Sequence, residues 1–446
     1  MATRLLITQC LQNDFVKPIG RFDPIPNQLH VGHAEALRLL GHSPAEGPVE
    51  RVMQWAYAQP DERVRVVHIR DWHDPHEPAQ RSHLAQFGEH CIRDGAGARF
   101  AFTEPERHDK DVAVIDSVTL NDFEGTGLQP LLARHRTSLD RVGLIGVWTE
   151  AKVLLLAYEL RTRFPELEVA VCSALTASSS RQHHFAALEQ LDRILGVRVI
   201  DSVGEFIEWL GGSTTNAPLL GMHEKLPEID AGGATLDRTD QVLVRFLFRD
   251  CRAVKLRILG GGFSGNLVAG TQSVDLYGHE QVPHVLKIGP QAAMGRERIS
   301  FERIQNVLGN NAPQISDFAD HGERGAIKYR YASMGGTFST TFQKEYQRGL
   351  ELDEVRRILD TVFGEQLMRL YKAATLEPGD LLAHYFFSPE RAACVQRAVE
   401  AIVGHAVPGD AVEVLPGVEV TNPAVFYRHT LEALPARAQD RFHHAY

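Results

Sequence analysis

Short runs of Val, Ile and Leu alternate with helical stretches across residues 1–212, and this alternation limits the fold more than any other feature. The predicted strands are Leu5–Thr8, Val64–Ile69, Val112–Ile115, Val142–Val147, Val169–Ser173 and Val197–Ile200. The helical patterns between them include Val49–Ala58, Leu128–Arg134, Lys152–Arg163 and Phe185–Leu195. Apolar strands that alternate with helices are typical of a parallel sheet covered on both faces. We therefore predict an α/β domain with three layers, and we expect ligands to bind at the carboxyl ends of its strands.

The character of the sequence changes after residue 212. A chain of 446 residues is too long for one ordinary core, so two domains are expected. Residues 213–240 begin with Ser, Thr, Asn and Pro and contain Gly232-Gly233, which is typical of a linker. Residues 241–446 then form a second predicted domain, which is β-rich to about Tyr331 and helix-rich afterwards.

Charge and cysteine content exclude several classes of function. The net charge of −10 gives nucleic-acid binding no electrostatic support, and no apolar run is long enough to cross a membrane. Met1–Arg4 lead directly into a predicted strand, so we expect no signal peptide. The five cysteines are scattered and odd in number, which favours reduced thiols and a cytoplasmic location.

Three segments at or after the ends of predicted strands carry the chemistry of the first domain: Leu5–Phe15, His90–Ala98 and Gly146–Val153. Together they resemble the isochorismatase-like cysteine hydrolases, a family that includes nicotinamidases. The resemblance implies a hydrolase fold, a small-molecule ligand and a homo-oligomer. In that family an Asp after the first strand is the general base, a Lys stabilises charge, and a Cys at a helix start is the nucleophile. A helix N-terminus lowers the pKa of a thiol and offers N–H groups to an oxyanion, so this arrangement is physically coherent.

The three catalytic positions of the family are substituted here. Counting back from Gln12 puts Cys10 at the position of the Asp. The Lys position, six residues before Phe123, is Ser117, and the Cys position, third after Thr149, is Lys152. The ammonium group of a lysine is also unfavourably placed at a helix N-terminus.

Three interpretations of these substitutions remain open. The fold has been retained for binding or assembly while the catalytic site was lost. Alternatively the site is rearranged, with Cys10 activated by Lys152 or with a Ser117–Lys152 pair. In the third interpretation the contact between Cys10 and Lys152 is purely structural.

A set of metal-ligand side chains follows the second predicted strand. Asp71 and His73 are two residues apart and so point the same way from a strand end, and His90 comes seventeen residues later. Nicotinamidases carry the same pattern, which implies that these three residues bind a divalent metal, with His76 or His83 as a fourth ligand. Imidazole and carboxylate ligands suit zinc, iron or manganese. The chain has 21 histidines, so a chance cluster is the competing interpretation.

A glycine-rich loop followed by a lysine marks the second domain. The nucleotide-binding candidates are Gly260, Gly261, Gly262, Ser264, Gly265, Lys287 and Glu302. Glycines let backbone N–H groups approach phosphates, and a lysine held by a helix glutamate reaches them. The helical stretch carries both Glu297 and Glu302. This order resembles the first lobe of protein-kinase-like or aminoglycoside-phosphotransferase-like folds, which implies binding of ATP with Mg²⁺.

The second domain departs from the kinase pattern in one respect. No His-x-Asp-x-x-x-x-Asn loop and no metal-binding Asp after it occur before Tyr446. We therefore expect an α+β, kinase-like domain that is incomplete. A hydrolase fold joined to such a domain is similar to bacterial multi-domain conflict or signalling systems, which implies protein partners. The leading prediction is a metal- or ligand-binding regulatory protein, and the alternatives are an active hydrolase of amides or vinyl ethers and an ATP-dependent switch.

Overall fold

The computed structural model describes most of the chain up to residue 373 and one strand pair beyond it. The described residues are 3–42, 44–104, 110–213, 217–222, 225–233, 235–259, 266–309, 313–330, 342–373, 411–415 and 418–421. The chain divides into two compact units, Met1–Lys372 and Ala373–Tyr446. The boundaries predicted from the sequence, at residues 212 and 241, stay predictions.

A six-stranded parallel sheet forms the centre of the first domain, as the apolar runs predict. Its strands are β1 (Thr3–Gln9), β2 (Val64–Asp71), β3 (Val112–Ser117), β4 (Leu139–Val147), β5 (Glu168–Ala177) and β6 (Arg198–Ile200). The strand order is β3-β2-β1-β4-β5-β6. Because β1 lies between β2 and β4, the chain segments that leave these three strands meet at one edge of the sheet.

Helices cover both faces of this sheet. They are α1 (Asn13–Val16), α2 (His33–Leu40), α3 (Pro48–Tyr57), α4 (Arg81–Phe87), α5 (Leu128–His135), α6 (Leu154–Arg163), α7 (Arg181–Arg193) and α8 (Val203–Trp209). Successive side chains of β1 belong to different cores, with Leu6 in one and Leu5 and Ile7 in the other. This alternation follows from the two-residue period of a strand and confirms the three-layer arrangement. Ser180 and Ser202 cap α7 and α8 by accepting hydrogen bonds from backbone N–H groups.

A second six-stranded sheet follows and is mostly antiparallel. Its strands are β7 (Glu228–Asp230), β8 (Cys251–Ile258), β9 (Leu267–Asp275), β10 (His284–Pro290), β11 (Ile315–His321) and β12 (Arg324–Arg330). The strand order is β11-β12-β10-β9-β8-β7, and only the β7–β8 pair is parallel. Helix α9 (Arg238–Leu247) precedes β8, and the long helix α10 (Gln291–Leu308) connects β10 to β11.

The remaining described elements are short. They are α11 (Phe342–Gln347), α12 (Leu352–Leu359), α13 (Met368–Ala373), β13 (Ala411–Leu415) and β14 (Val418–Thr421). Strands β13 and β14 pair in antiparallel fashion within the second unit. Among the described residues, no helix combines the length and the apolar character that a membrane span requires.

Candidate functional site

The substituted catalytic positions meet at the carboxyl edge of the parallel sheet. Cys10 directly follows β1, Asp71 ends β2 and Ser117 ends β3. Lys152 lies in a π-helical turn, Thr149–Val153, that follows β4 and leads into α6. All of these side chains are buried, with at most 6% of the residue surface exposed. The structure therefore brings these predicted positions together at one place.

Gln12 joins the segments that surround this site. Its amide nitrogen donates to the carbonyl oxygens of Asp71 at 2.7 Å and Ala98 at 2.9 Å, and its amide oxygen accepts from the Asp71 N–H at 2.8 Å. Asp14 accepts from the Cys91 N–H at 2.6 Å. A Cβ atom at Gly97 would lie 2.1 Å from the Asp14 carboxylate, so only glycine fits there. These contacts make the first two sequence motifs one rigid structure.

The ammonium group of Lys152 is completely surrounded by acceptors. Its Nζ atom lies 2.7 Å from Asp122 Oδ1 and 2.8 Å from Asp71 Oδ1. It also donates to the Ser117 hydroxyl at 3.0 Å and to the Thr119 carbonyl at 2.7 Å. An ammonium has three N–H donors, and four acceptors already surround it, so Lys152 has no donor left for a ligand.

Charge balance keeps Lys152 protonated. Burial by itself lowers the pKa of Lys152, but Asp71 and Asp122 outweigh burial and the net direction is upward. Burial raises the pKa of Asp71, yet Lys152 and the nearby imidazole groups of His73 and His90 bring it well below its usual range. One ammonium cannot fully compensate two carboxylates, and burial therefore leaves the pKa of Asp122 raised.

Cys10 is a thiol rather than a thiolate at this site. Burial raises its pKa well above the usual value, and the negative charge of Asp71 adds to this more than Lys152 subtracts. The Cys10 Sγ lies 3.5 Å from Asp71 Oδ1 and accepts a hydrogen bond from Gln9 at 3.2 Å. The backbone φ of Cys10 is +48°, a left-handed conformation that is uncommon outside glycine. Cys10 Sγ and Lys152 Nζ therefore both contact the same atom, Asp71 Oδ1.

Three histidines gather on the other side of Asp71. Ligand atoms of His73, His83 and His90 all lie within 4.8 Å of one another. The Nε2 atoms of His73 and His90 lie 3.8 and 3.7 Å from Asp71 Oδ2. Asp71 therefore shares its two oxygens, with Oδ1 facing Lys152 and Oδ2 facing the histidines. His76 does not belong to this cluster.

The histidines have the hydrogen bonds that metal ligands have. Nδ1 of His73 bonds Gln80 Oε1 at 3.0 Å, and Nδ1 of His90 bonds the Gly88 carbonyl at 2.8 Å. Both Nε2 atoms are buried and lack a hydrogen-bond partner among the described residues. Ligating histidines typically donate one ring N–H to such a partner and leave the other nitrogen for the metal. Two carboxylates beside one ammonium also leave negative charge for a cation to neutralise, so these residues fit a divalent metal.

Two family profiles match parts of the chain. The isochorismatase domain profile matches residues 5–202, and the ternary complex associated domain 9 profile matches residues 251–402. Residues 5–202, which match this profile, are called the isochorismatase domain below. Among solved structures, the Bacillus subtilis nicotinamidase/pyrazinamidase PncA is 20% identical, covering 44% of this chain and 98% of its own, with a TM-score of 0.35.

Two further solved structures are similar to part of the chain. The Streptococcus mutans pyrazinamidase/nicotinamidase is 24% identical, covering 44% of this chain and all of its own, with a TM-score of 0.36. The Pyrococcus horikoshii pyrazinamidase, solved in complex with zinc, is 22% identical, covering 44% of this chain and 98% of its own, with a TM-score of 0.34. No curated protein matched the chain.

Sequence reasoning missed one residue of this isochorismatase domain site. Asp122 is 1% exposed and lies 2.7 Å from the Lys152 Nζ atom, yet it was not predicted. Asp122 directly precedes the Phe123–Thr126 segment from which the position of Ser117 was counted. Its position beside that segment, rather than its residue type, could have indicated that it belongs to the site. His83, one of two alternatives for a fourth ligand, is the one that joins His73 and His90.

In the second sheet, Lys287 contacts a different glutamate from the predicted one. Lys287 on β10 forms an ion pair with Glu297 at 2.6 Å, and Tyr329 donates to the same carboxylate at 2.8 Å. Glu302 instead pairs with Arg298 at 2.9 Å and with Arg181. Glu302 is five residues beyond Glu297 on α10 and so faces another side of the helix.

Gly260, Gly261, Gly262, Ser264 and Gly265 lie outside the described residues. The assignment of these residues to nucleotide binding stays a prediction.

Proposed function

We propose that the isochorismatase domain does not perform cysteine-hydrolase chemistry and instead serves as a metal- or ligand-binding regulatory domain. The position of the Lys152 ammonium carries this proposal. Four acceptors hold it where the family's nucleophile stands, and two of these are the buried carboxylates of Asp71 and Asp122. A charged group held this way contributes to the structure and offers nothing to a substrate.

Neither alternative nucleophile is in its reactive form. A Ser117–Lys152 pair requires a neutral amine to accept the serine proton, but the raised pKa of Lys152 keeps it an ammonium donor. Cys10 requires a thiolate, but burial and Asp71 raise the pKa of its thiol. Neither pair therefore supports an acyl-transfer step.

A divalent metal is the ligand that the remaining groups support. His73, His83 and His90 would hold it together with Asp71 Oδ2, and Gln80 would orient His73. Such a metal supplies Lewis acidity and lowers the pKa of bound water toward neutrality. This chain's own residues would fix the metal and exclude bulk water, since Asp71, His73 and His90 are buried.

Amide hydrolysis by the intact chain tests this proposal. The protein is loaded in turn with Zn²⁺, Fe²⁺ and Mn²⁺ and incubated with nicotinamide and with other small amides. We expect no turnover above that of a His90→Ala variant. Turnover that is abolished in a Lys152→Ala variant that still folds, as judged by circular dichroism, would overturn the proposal, because Lys152 would then be catalytic. Turnover lost in Cys10→Ser but kept in Lys152→Met would favour an active hydrolase that uses Cys10.

Nucleotide binding by the second sheet is a further candidate function. Strands β8, β9, β10, β12 and β11 adjoin in that order, with α10 inserted between β10 and β11. In the kinase-like folds that this sequence resembles, a strand lysine pairs with a helix glutamate. The 2.6 Å contact between Lys287 and Glu297 provides such a pair. This supports a nucleotide-binding module beside the regulatory domain.

Calorimetric titration with Mg²⁺ and ATP tests the second candidate. We expect Lys287→Met to weaken binding, because the lysine charge that faces the phosphates is lost. The matched control is Lys255→Met, since Lys255 is an exposed lysine on β8 of the same sheet that pairs with Asp230. No heat of binding in the wild-type chain, or an equal loss in both variants, would dispose of this function.

A further inference from the structure

Helix α10 packs against two domains with two different faces. One face consists of Met294, Glu297 and Phe301, which are three and four residues apart and so lie on one side of a helix. Met294 packs in a cluster with Tyr329 of β12, and the Phe301 ring lies 4.9 Å from the Tyr329 ring. This face therefore belongs to the second sheet and carries the glutamate that pairs with Lys287.

The other face of α10 belongs to the isochorismatase domain. It consists of Gly295, Arg298, Ile299 and Glu302, again with helical spacing. Ile299 is 7% exposed and packs within a core cluster of the isochorismatase domain. A Cβ atom at Gly295 would lie 3.1 Å from the backbone carbon of Asp201, so the helix approaches the loop after β6 closely.

Arg298 is the central contact of this face. It is 1% exposed, and its guanidinium donates to the Ser173 hydroxyl and to the Asp201 carbonyl, both at 3.1 Å. A third hydrogen bond at 2.9 Å goes to Glu302 on its own helix. A planar guanidinium with several fixed donors sets both the distance and the rotation of the helix that carries it.

Two further contacts hold the same interface. Glu302 pairs with Arg181 of α7, which in turn pairs with Glu35 of α2 at 3.1 Å. On β11, Asp320 accepts from Arg51 and from Ser202 of the isochorismatase domain, both at 2.9 Å. The isochorismatase domain thus contacts both the connecting helix and the strand that follows it.

We propose that the isochorismatase domain holds α10 in the rotation that pairs Glu297 with Lys287, and that Arg298 is the positioning residue of the second sheet's nucleotide site. This inference rests on the nucleotide-binding function proposed above. Glu297 and Arg298 are adjacent and point about 100° apart around the helix. A rotation that frees Arg298 from Ser173 therefore withdraws the Glu297 carboxylate from Lys287.

The experiment measures Lys287 directly and uses the intact chain. The rate of Lys287 acetylation by a water-soluble reagent is followed by mass spectrometry in the wild type and in Arg298→Met. We expect at least a threefold faster rate in the variant, and at least tenfold weaker binding of Mg²⁺ and ATP. Arg296→Met is the matched control, because Arg296 is exposed on the same helix, and neither quantity should change.

A second variant covers the case in which Arg298→Met does not fold. Arg181→Met removes the Glu302 contact from the isochorismatase side, where the Arg181 side chain is 20% exposed. An effect of Arg181→Met on Lys287 acetylation supports transmission through α10. Unchanged acetylation in a folded Arg298→Met protein, or in Arg181→Met if the first variant is unfolded, would overturn the inference. If the wild type binds no ATP, the nucleotide function fails, while the acetylation rates still decide whether α10 is held.

Discussion

Replacing Lys152 with methionine should destabilise the isochorismatase domain strongly. The substitution removes the ammonium, retains most of the side chain's length, and leaves Asp71 and Asp122 buried with no cation beside them. These residues are 6% and 1% exposed. Removing one partner of a buried ion pair costs about 3–5 kcal/mol, because the other charge stays buried and uncompensated. At about 2–4 °C per kcal/mol for a domain of this size, the melting temperature should fall by about 6–20 °C.

The loss should also depend on pH. Without Lys152, burial and mutual repulsion raise the pKa of both carboxyl groups above their values in the unfolded chain. A carboxyl group whose pKa is raised in the folded state destabilises the fold only while it is ionised, so protonation removes this destabilisation. The difference in melting temperature between wild type and Lys152→Met should therefore be largest at neutral pH and shrink as the pH falls.

Differential scanning calorimetry between pH 5 and pH 8 measures this difference. Lys17→Met is the control, since Lys17 is an exposed lysine of the same domain. Adding Asp122→Asn to Lys152→Met should recover part of the lost stability, because one of the two uncompensated charges is removed. A melting temperature for Lys152→Met equal to or above that of the wild type would refute the structural role of the ammonium.

Three other predictions concern neighbouring groups. The chain should bind about one Zn²⁺ in competition with a chromophoric chelator. Gln80→Ala releases Nδ1 of His73 and should weaken Zn²⁺ binding by about 10–100-fold. Equal weakening of Zn²⁺ binding by His76→Ala would contradict the ligand set. Burial lowers the pKa of His68 to about 3, so the folded protein keeps this histidine neutral when the unfolded chain is protonated below about pH 6.5. The free energy of unfolding should therefore fall by about 1.4 kcal/mol per pH unit between about pH 6.5 and pH 3. His68→Gln should flatten that slope in urea unfolding, and an unchanged slope would contradict the assignment. Cys10 should resist iodoacetamide in the native protein at neutral pH, because its thiol is buried and its pKa is raised, and rapid native labelling would be inconsistent with this.

The strand pattern and the motif positions were predictable because they depend on local sequence. Uninterrupted apolar runs predicted the parallel sheet, which the structure confirms. Counting from Gln12 and Thr149 identified Cys10 and Lys152, which the structure places at one site. Asp122 was not predictable in the same way, because an acidic residue in a loop is usually solvated. Only the fold shows that the Lys152 side chain reaches it.

The partner of Lys287 was missed for a different reason. Glu297 and Glu302 both lie on α10, and the sequence does not show which face of the helix meets the second sheet. That choice depends on the isochorismatase domain, which occupies the other face through Gly295 and Arg298. The docking of one domain on another is a tertiary effect that no local pattern encodes.

The protonation state of Lys152 tests the central claim most directly. Nitrogen-15 NMR of the side-chain ammonium groups, assigned with Lys152→Met, follows the Lys152 Nζ signal as the pH rises. Because Asp71 and Asp122 raise its pKa, we expect an ammonium signal, protected from solvent exchange, that persists above the pH at which exposed lysines titrate. A neutral amine at pH 7 would contradict the account and make Lys152 a candidate base or nucleophile.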